Sequence, residues 1–151
     1  MKQGLLTVVL LALMAAPCVA EDWSTEITME QIRESRREIV AATVAPESQY
    51  ASEFWELYRK YRGRMDEVDK RTLKIFEELT RDSDSIDSVR ASEVVDEVLK
   101  IDAERAKIRK TYVKKFQTIL PPEQVVRWYQ VESKMDAVAR AAMAATIPYI
   151  R

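Results

Sequence analysis

The chain has 151 residues, with 24 lysines and arginines against 25 aspartates and glutamates, and a formal net charge of −1. It contains no histidine, one cysteine and two glycines. The imidazole and thiolate ligands of most transition-metal sites are therefore largely missing, as are the usual nucleophile–base pairs of covalent catalysis. Two glycines cannot form a glycine-rich phosphate loop. We expect a protein with a core, no cofactor, no metal and no catalytic site.

The N-terminus is typical of a cleaved secretory signal. Lys2 precedes an uncharged, mostly apolar run over residues 4–16, which is too short to span a membrane comfortably. Pro17 ends the run, and the small residues Cys18-Val19-Ala20 suit a cleavage site. We predict a signal peptide over residues 1–20 and a single periplasmic helical domain over residues 21–151, with no stable membrane span. Cleavage after Ala20 would remove the only cysteine, which suits an oxidising compartment.

The rest of the chain predicts an all-α fold of four helices, in the order Thr28–Ala42, Ser48–Thr80, Val89–Ile119 and Pro122–Ala145. The first helix begins with a Thr-x-x-Gln capping box. Prolines mark the starts of the second and fourth helices, where the first turn tolerates them. No segment shows the alternation of a β-strand.

The second and third helices are long and joined by a short polar loop, which predicts an antiparallel hairpin that dominates the fold. Apolar residues recur along both helices at steps of three or four, as in a coiled-coil seam. At about 30 residues each, these helices would be roughly 45 Å long. Two shorter helices cannot cover both faces of such a hairpin. Either a homodimer closes the surface, or an apolar face stays open for a client protein.

Two features of the hairpin have alternative interpretations. Gly63 interrupts the second helix and costs it about 1 kcal/mol relative to alanine. The glycine could permit a bend or a close helix approach.

Acidic residues collect near the hairpin loop, and basic residues collect near its open end, among them Arg59, Arg64, Lys107 and Lys115. The basic end could attract acidic or unfolded proteins, or it could be an ordinary solvated surface that complements the helix dipoles. Nucleic acid is not an expected partner of an exported, net acidic protein.

Two pentapeptides share a pattern, and each opens a predicted helix: Ile27-Thr28-Met29-Glu30-Gln31 and Leu120-Pro121-Pro122-Glu123-Gln124. The pair resembles the LTxxQ signature of Spy/CpxP-type periplasmic proteins. The resemblance implies an ATP-independent chaperone-like or envelope-stress protein, helical, cradle-shaped and dimeric, that holds unfolded clients or damps a sensor kinase. Alternatively, the two segments are only helix caps. The residues that carry the pattern are Ile27, Thr28, Gln31, Leu120, Pro122 and Gln124.

If the protein binds clients, we place the binding face on the hairpin, where large side chains share one stripe. The alternative is that this stripe is ordinary core packing. The candidate client-binding residues are Phe54, Tyr58, Tyr61, Met65, Tyr112 and Phe116.

A second functional class is a non-catalytic structural or adaptor module, or a stress sensor, with one dedicated envelope partner. Such a partner would bind the hairpin or the apolar tail over residues 147–150. This class differs from a chaperone because it would not affect arbitrary unfolding proteins.

Two acidic groups could suggest other chemistry. Asp82, Asp84 and Asp87 could hold a weak Ca²⁺, but the loop lacks the glycine and the spacing of a calcium loop, which favours a polar, helix-capping segment. Glu132 and Asp136 lie one turn apart on the fourth helix. Paired carboxylates can catalyse glycoside hydrolysis, but nothing in the sequence converges on these two. We interpret them as a partly exposed acidic pair.

Overall fold

The computed structural model describes the backbone of residues 29–147 and 149, and the side chains of residues 35–147 and 149. The four helices are α1 (Met29–Val44), α2 (Ser48–Asp82), α3 (Ser88–Phe116) and α4 (Pro122–Ala144). The part of the chain that the structure describes contains no strand. The all-α prediction is therefore confirmed, and every helix boundary that was predicted lies within three residues of the observed one. The predicted signal peptide lies outside the described residues.

Local chemistry explains where α1 ends and α3 begins. After α1, Ala45 has a φ of 45°, and its N–H donates to the Ala41 carbonyl at 3.1 Å. This left-handed residue closes the last turn, and Pro46 follows it, as is common after a helix end. At the start of α3, the Asp87 carboxylate accepts a hydrogen bond from the Arg90 N–H at 2.8 Å. Asp87 thereby satisfies one of the free N–H groups of the first turn.

Helices α2 and α3 form an antiparallel pair. As residue numbers rise along α2, the numbers of their partners fall along α3. In the order of α2, four such contacts are Phe54–Phe116, Tyr61–Tyr112, Asp69–Arg105 and Glu78–Arg90. These contacts are spread along nearly the full length of both helices, so α2 and α3 pack against each other over most of their length.

Helices α4 and α1 lie on the same side of this hairpin. The Trp128 ring of α4 packs against Phe116 of α3 and Tyr61 of α2, at centroid distances of 4.2 and 5.1 Å. Helix α1 packs against α4, and its Arg37 guanidinium lies 4.5 Å from the ring of Trp55 on α2. The core therefore lies between the hairpin and the layer of α4 and α1. No helix among the described residues is both long enough and apolar enough to cross a membrane.

The apolar residues that recur at steps of three or four along α2 and α3 are buried or partly buried, but the buried face of α4 does not follow its large apolar residues throughout. Trp128 and Glu132 face inward, whereas Val138 is exposed. Asp136 and Ala139 take the inward positions. In the second half of α4, a carboxylate and a small residue therefore form the buried face, and the larger Val138 lies outside it.

Of the two roles considered for Gly63, a bend or a close helix approach, the close approach is not found among the described residues. Gly63 lies exposed within the continuous helix α2, and a Cβ atom at this position would meet nothing within 4 Å among the described residues. Glycine costs a helix interior about 1 kcal/mol relative to alanine. No contact of the described residues with Gly63 offsets that cost.

Candidate functional site

The structure places all six candidate client-binding residues in the interior. Their exposed fractions lie between 0 and 8%. They form much of an aromatic cluster in which, for example, Phe54 and Tyr58 stack at a centroid distance of 5.9 Å. The expectation that they form an open face does not hold for the folded chain, because α4 and α1 cover that side of the hairpin. A role for them in client binding stays a prediction and would require the helices to separate.

Glu132 and Asp136 are not a partly exposed pair, because only 2% and 4% of their surfaces are exposed. The Arg36 guanidinium of α1 donates to both carboxylates, with Nη1 2.8 Å from Glu132 Oε2 and Nη2 3.0 Å from Asp136 Oδ1. The Tyr58 hydroxyl donates to Glu132 Oε1 at 2.8 Å. Burial is tolerable here because each carboxylate has charged partners and hydrogen bonds.

Further arginines extend this pair into a network that joins all four helices. Arg62 of α2 donates to Glu132 at 3.3 Å, and Arg109 of α3 pairs with Asp136. Arg105 of α3 donates to Asp69 of α2 at 2.5 Å. We call the following residues the arginine network: Arg36, Arg62, Asp66, Asp69, Arg105, Arg109, Glu132 and Asp136.

The pKa shifts within the arginine network favour groups of fixed charge over groups that exchange protons. Burial alone would raise the pKa of Asp136, but the positive charges of Arg36 and Arg109 outweigh burial and hold that pKa below its usual value. Burial and the negative charge of Glu132 raise the pKa of the Tyr58 hydroxyl far above its usual range. Asp136 therefore stays ionised and Tyr58 stays protonated near neutral pH, whereas a carboxylic general acid needs a raised pKa.

The opposite side of the hairpin carries a shallow groove between α2 and α3, which we call the hairpin groove. Its central part has a volume of about 570 Å³, and its lining includes Arg64, Glu104, Lys107, Ile108, Tyr112 and Lys115. Ile108 and Tyr112 lie at the bottom of the groove with only 5 and 8% of their surfaces exposed, and the Lys115 ammonium lies 4.9 Å from the Tyr112 ring. The lining contains three cationic side chains and one carboxylate. Glu104 is itself engaged by Arg71, at 2.5 Å. The centre of the groove is therefore apolar below and positively charged at its rim.

Two further depressions lie along the hairpin, one on each side of the central part. Towards the α2–α3 loop, a depression of about 340 Å³ includes Ile75 and Ile101 in its lining. Towards the open end, one of about 270 Å³ includes Leu57, Lys60 and Ile119. Of the six candidate client-binding residues, Tyr112 reaches the central part of this surface.

The acidic loop is occupied with local contacts. Asp82 pairs with Arg81 at 2.8 Å, and Asp87 caps α3. These contacts agree with the interpretation of the loop as a polar, helix-capping segment. Within the described part of the chain, no group of three or more aspartates, glutamates, cysteines or histidines is placed to hold a metal ion.

The second pentapeptide forms the connection between α3 and α4. The Leu120 N–H donates to the Phe116 carbonyl at 2.9 Å, and Leu120 is buried. Pro122 is the first residue of α4, and the Gln124 N–H donates to the Pro121 carbonyl at 3.0 Å. No side chain of the described residues caps this helix start, so the segment makes a tight turn without a capping box.

The first pentapeptide cannot be compared with the second. Ile27 and Thr28 lie outside the described residues, and Gln31 lies in α1 with its side chain outside the described ones. No protein-family model, curated protein or solved structure matches the chain. Kinship with the Spy/CpxP-type proteins stays a prediction.

Proposed function

We propose that this protein is an exported, non-catalytic, ATP-independent chaperone-like or envelope-stress protein that binds unfolded or partner proteins along the hairpin groove. The observation that carries the proposal is the groove of about 570 Å³ in which the cations Arg64, Lys107 and Lys115 surround the narrow exposed edges of Ile108 and Tyr112. The proposal moves the binding face from the buried aromatic stripe to the opposite side of the same hairpin.

The chemistry of the groove suits loosely held, partly unfolded chains. An apolar side chain of the client would lose contact with water at the bottom of the groove. Acidic residues beside it would be attracted by the rim, which raises the rate of encounter. Such binding needs no nucleotide. The periplasmic location is proposed from the signal-like segment over residues 1–20 and from the absence of cysteine after it.

The alternative is an adaptor with one dedicated partner. Tyr149, in the apolar tail, is 96% exposed, and an isolated aromatic side chain of this kind can anchor a specific partner. An adaptor of this class would leave the aggregation of unrelated proteins unchanged.

The test follows light scattering while a chemically denatured test protein aggregates after dilution, with the candidate protein at near-stoichiometric amounts and no nucleotide. Wild type is expected to suppress aggregation. The double variant Lys107→Glu with Lys115→Glu reverses two charges of the groove rim and is expected to weaken suppression several-fold.

The matched control is Lys110→Glu with Lys114→Glu, which makes the same charge change on the same helix. Both control residues are exposed, and neither lines the central groove. The control is expected to suppress like wild type. Equal loss in both double variants would show a general charge effect and would refute the groove as the site. No suppression by wild type at several-fold excess would refute general chaperoning and favour the adaptor.

A further inference from the structure

Helix α1 lies in a groove between α4 and α2. On one side, its Arg36 guanidinium donates to Glu132 and Asp136 of α4. On the other side, its Arg37 guanidinium lies over the ring of Trp55 on α2. The groove between α2 and α4 is therefore an established interface along the length of α1.

The same groove continues towards the α2–α3 loop, beyond the start of α1. There it forms a pocket of about 310 Å³, which we call the tip pocket. Its apolar lining consists of Leu73 and Phe76 of α2 and Met143 of α4, and Leu73 is 41% exposed. Met143 also lines a small cavity beside Arg36, so the tip pocket adjoins the part of the groove that α1 occupies. Covering this apolar surface would be favourable.

The chain that precedes α1 leads towards the tip pocket. Helices α1 and α2 are antiparallel, because the short connection over residues 45–47 joins them and Arg37 lies beside Trp55. Met29, the first residue of α1, comes eight residues before Arg37, which is about 12 Å along the helix. The start of α1 therefore lies at about the level of residue 63 of α2, displaced towards the α2–α3 loop.

Residues 21–28, which directly precede α1, are long enough to reach the tip pocket. From the level of residue 63, Leu73 lies ten residues further along α2, or about 15 Å. Eight residues of extended chain can span about 26 Å. The large apolar residues of this segment are Trp23 and Ile27, and its remaining residues are polar or charged.

The second pentapeptide indicates how Ile27 packs. Leu120 comes two residues before the start of α4 at Pro122, and it is only 6% exposed. Ile27 is the matching residue of the first pentapeptide, and it comes two residues before the start of α1 at Met29. An apolar residue just before a helix commonly packs on its neighbours and fixes the direction in which the chain enters the helix. We therefore expect Ile27 to be buried like Leu120.

We propose that residues 21–28 occupy the tip pocket and bury the side chains of Trp23 and Ile27 there. The segment extends the cover that α1 gives to the hairpin, in the direction of the α2–α3 loop. The first pentapeptide thereby gains a packing role besides helix capping. The tip pocket is then closed to client proteins, whereas the hairpin groove on the opposite side of the hairpin stays open.

Photocrosslinking from position 23 tests this packing. A photoreactive phenylalanine analogue would replace Trp23 in the purified protein, and mass spectrometry would identify the crosslinked peptides. We expect crosslinks within one chain to peptides that contain residues 73–81 or 143–146. Leu73→Glu places a charge in the pocket and is expected to lower this crosslinking several-fold. The matched control is Leu99→Glu, at a leucine of α3 that is 62% exposed and lies outside the pocket lining, and it should leave the crosslinks unchanged.

Thermal unfolding gives an independent measure of the same contact. We expect Trp23→Ser to lower the midpoint of thermal unfolding by roughly 4–8 °C, because the ring loses its buried apolar contacts. In a chain that already carries Leu73→Glu, the same replacement is expected to give a much smaller further drop, because the two side chains share one site.

Three results would overturn the proposal. Position 23 could form no crosslinks to the two expected ranges. It could crosslink to a second copy of the chain, which would make the tip pocket an interface between copies. Trp23→Ser could lower the midpoint equally with and without Leu73→Glu, which would show that the two side chains do not meet.

Discussion

Replacing Glu132 by glutamine is expected to lower the free energy of unfolding by about 3–5 kcal/mol, because breaking a buried ion pair leaves its partners uncompensated. Glu132 accepts hydrogen bonds from Arg36, Arg62 and the Tyr58 hydroxyl, which come from two other helices. Glutamine keeps the shape of the side chain but removes its charge. Urea unfolding followed by circular dichroism at neutral pH measures the loss.

The control for this prediction is Glu56→Gln on α2. Glu56 pairs with Lys60 at 2.6 Å on the exposed surface, and such pairs contribute less than about 1 kcal/mol. If Glu132→Gln costs no more than Glu56→Gln, the arginine network does not hold the helices together.

Replacing Trp128 by alanine is expected to cost about 3–5 kcal/mol, because the change removes a large buried ring and leaves a cavity. Only 1% of Trp128 is exposed, and its ring packs against both Phe116 and Tyr61. The matched change Tyr129→Ala, one residue along α4, removes a ring that is 45% exposed and should cost about 1 kcal/mol or less. Thermal unfolding of the two variants compares them directly, and equal losses would contradict the placement of α4 on the hairpin.

The helices could be predicted because their signals are local. The start of α2 at Ser48 and the start of α4 at Pro122 both agree with the sequence prediction. The direction of the hairpin follows from the short loop between α2 and α3, and the seams follow from helical spacing. Each of these features depends on residues that are close in the chain.

The candidate sites could not be predicted in the same way. Spacing shows that Phe54, Tyr61 and Phe116 share the inner face of the hairpin, but not that α4 covers this face. Charged residues are rarely buried, so nothing local indicates that Arg36 lies beside Glu132, 96 residues further along the chain. The sequence does contain one indication of buried charge. Arg105 on α3 and Glu132 on α4 take positions in the helical repeat that otherwise hold apolar residues.

The central claim is that partner proteins bind the hairpin groove, and site-specific photocrosslinking tests it most directly. A photoreactive residue would replace Lys107 in the groove or, as controls, Lys110 outside it or Val138 on α4. Each protein would be illuminated with an aggregating test protein. We expect crosslinks from position 107 and few or none from position 110. Equal crosslinking from both positions, or crosslinks from Val138 on the exposed side of α4 instead, would contradict the proposal.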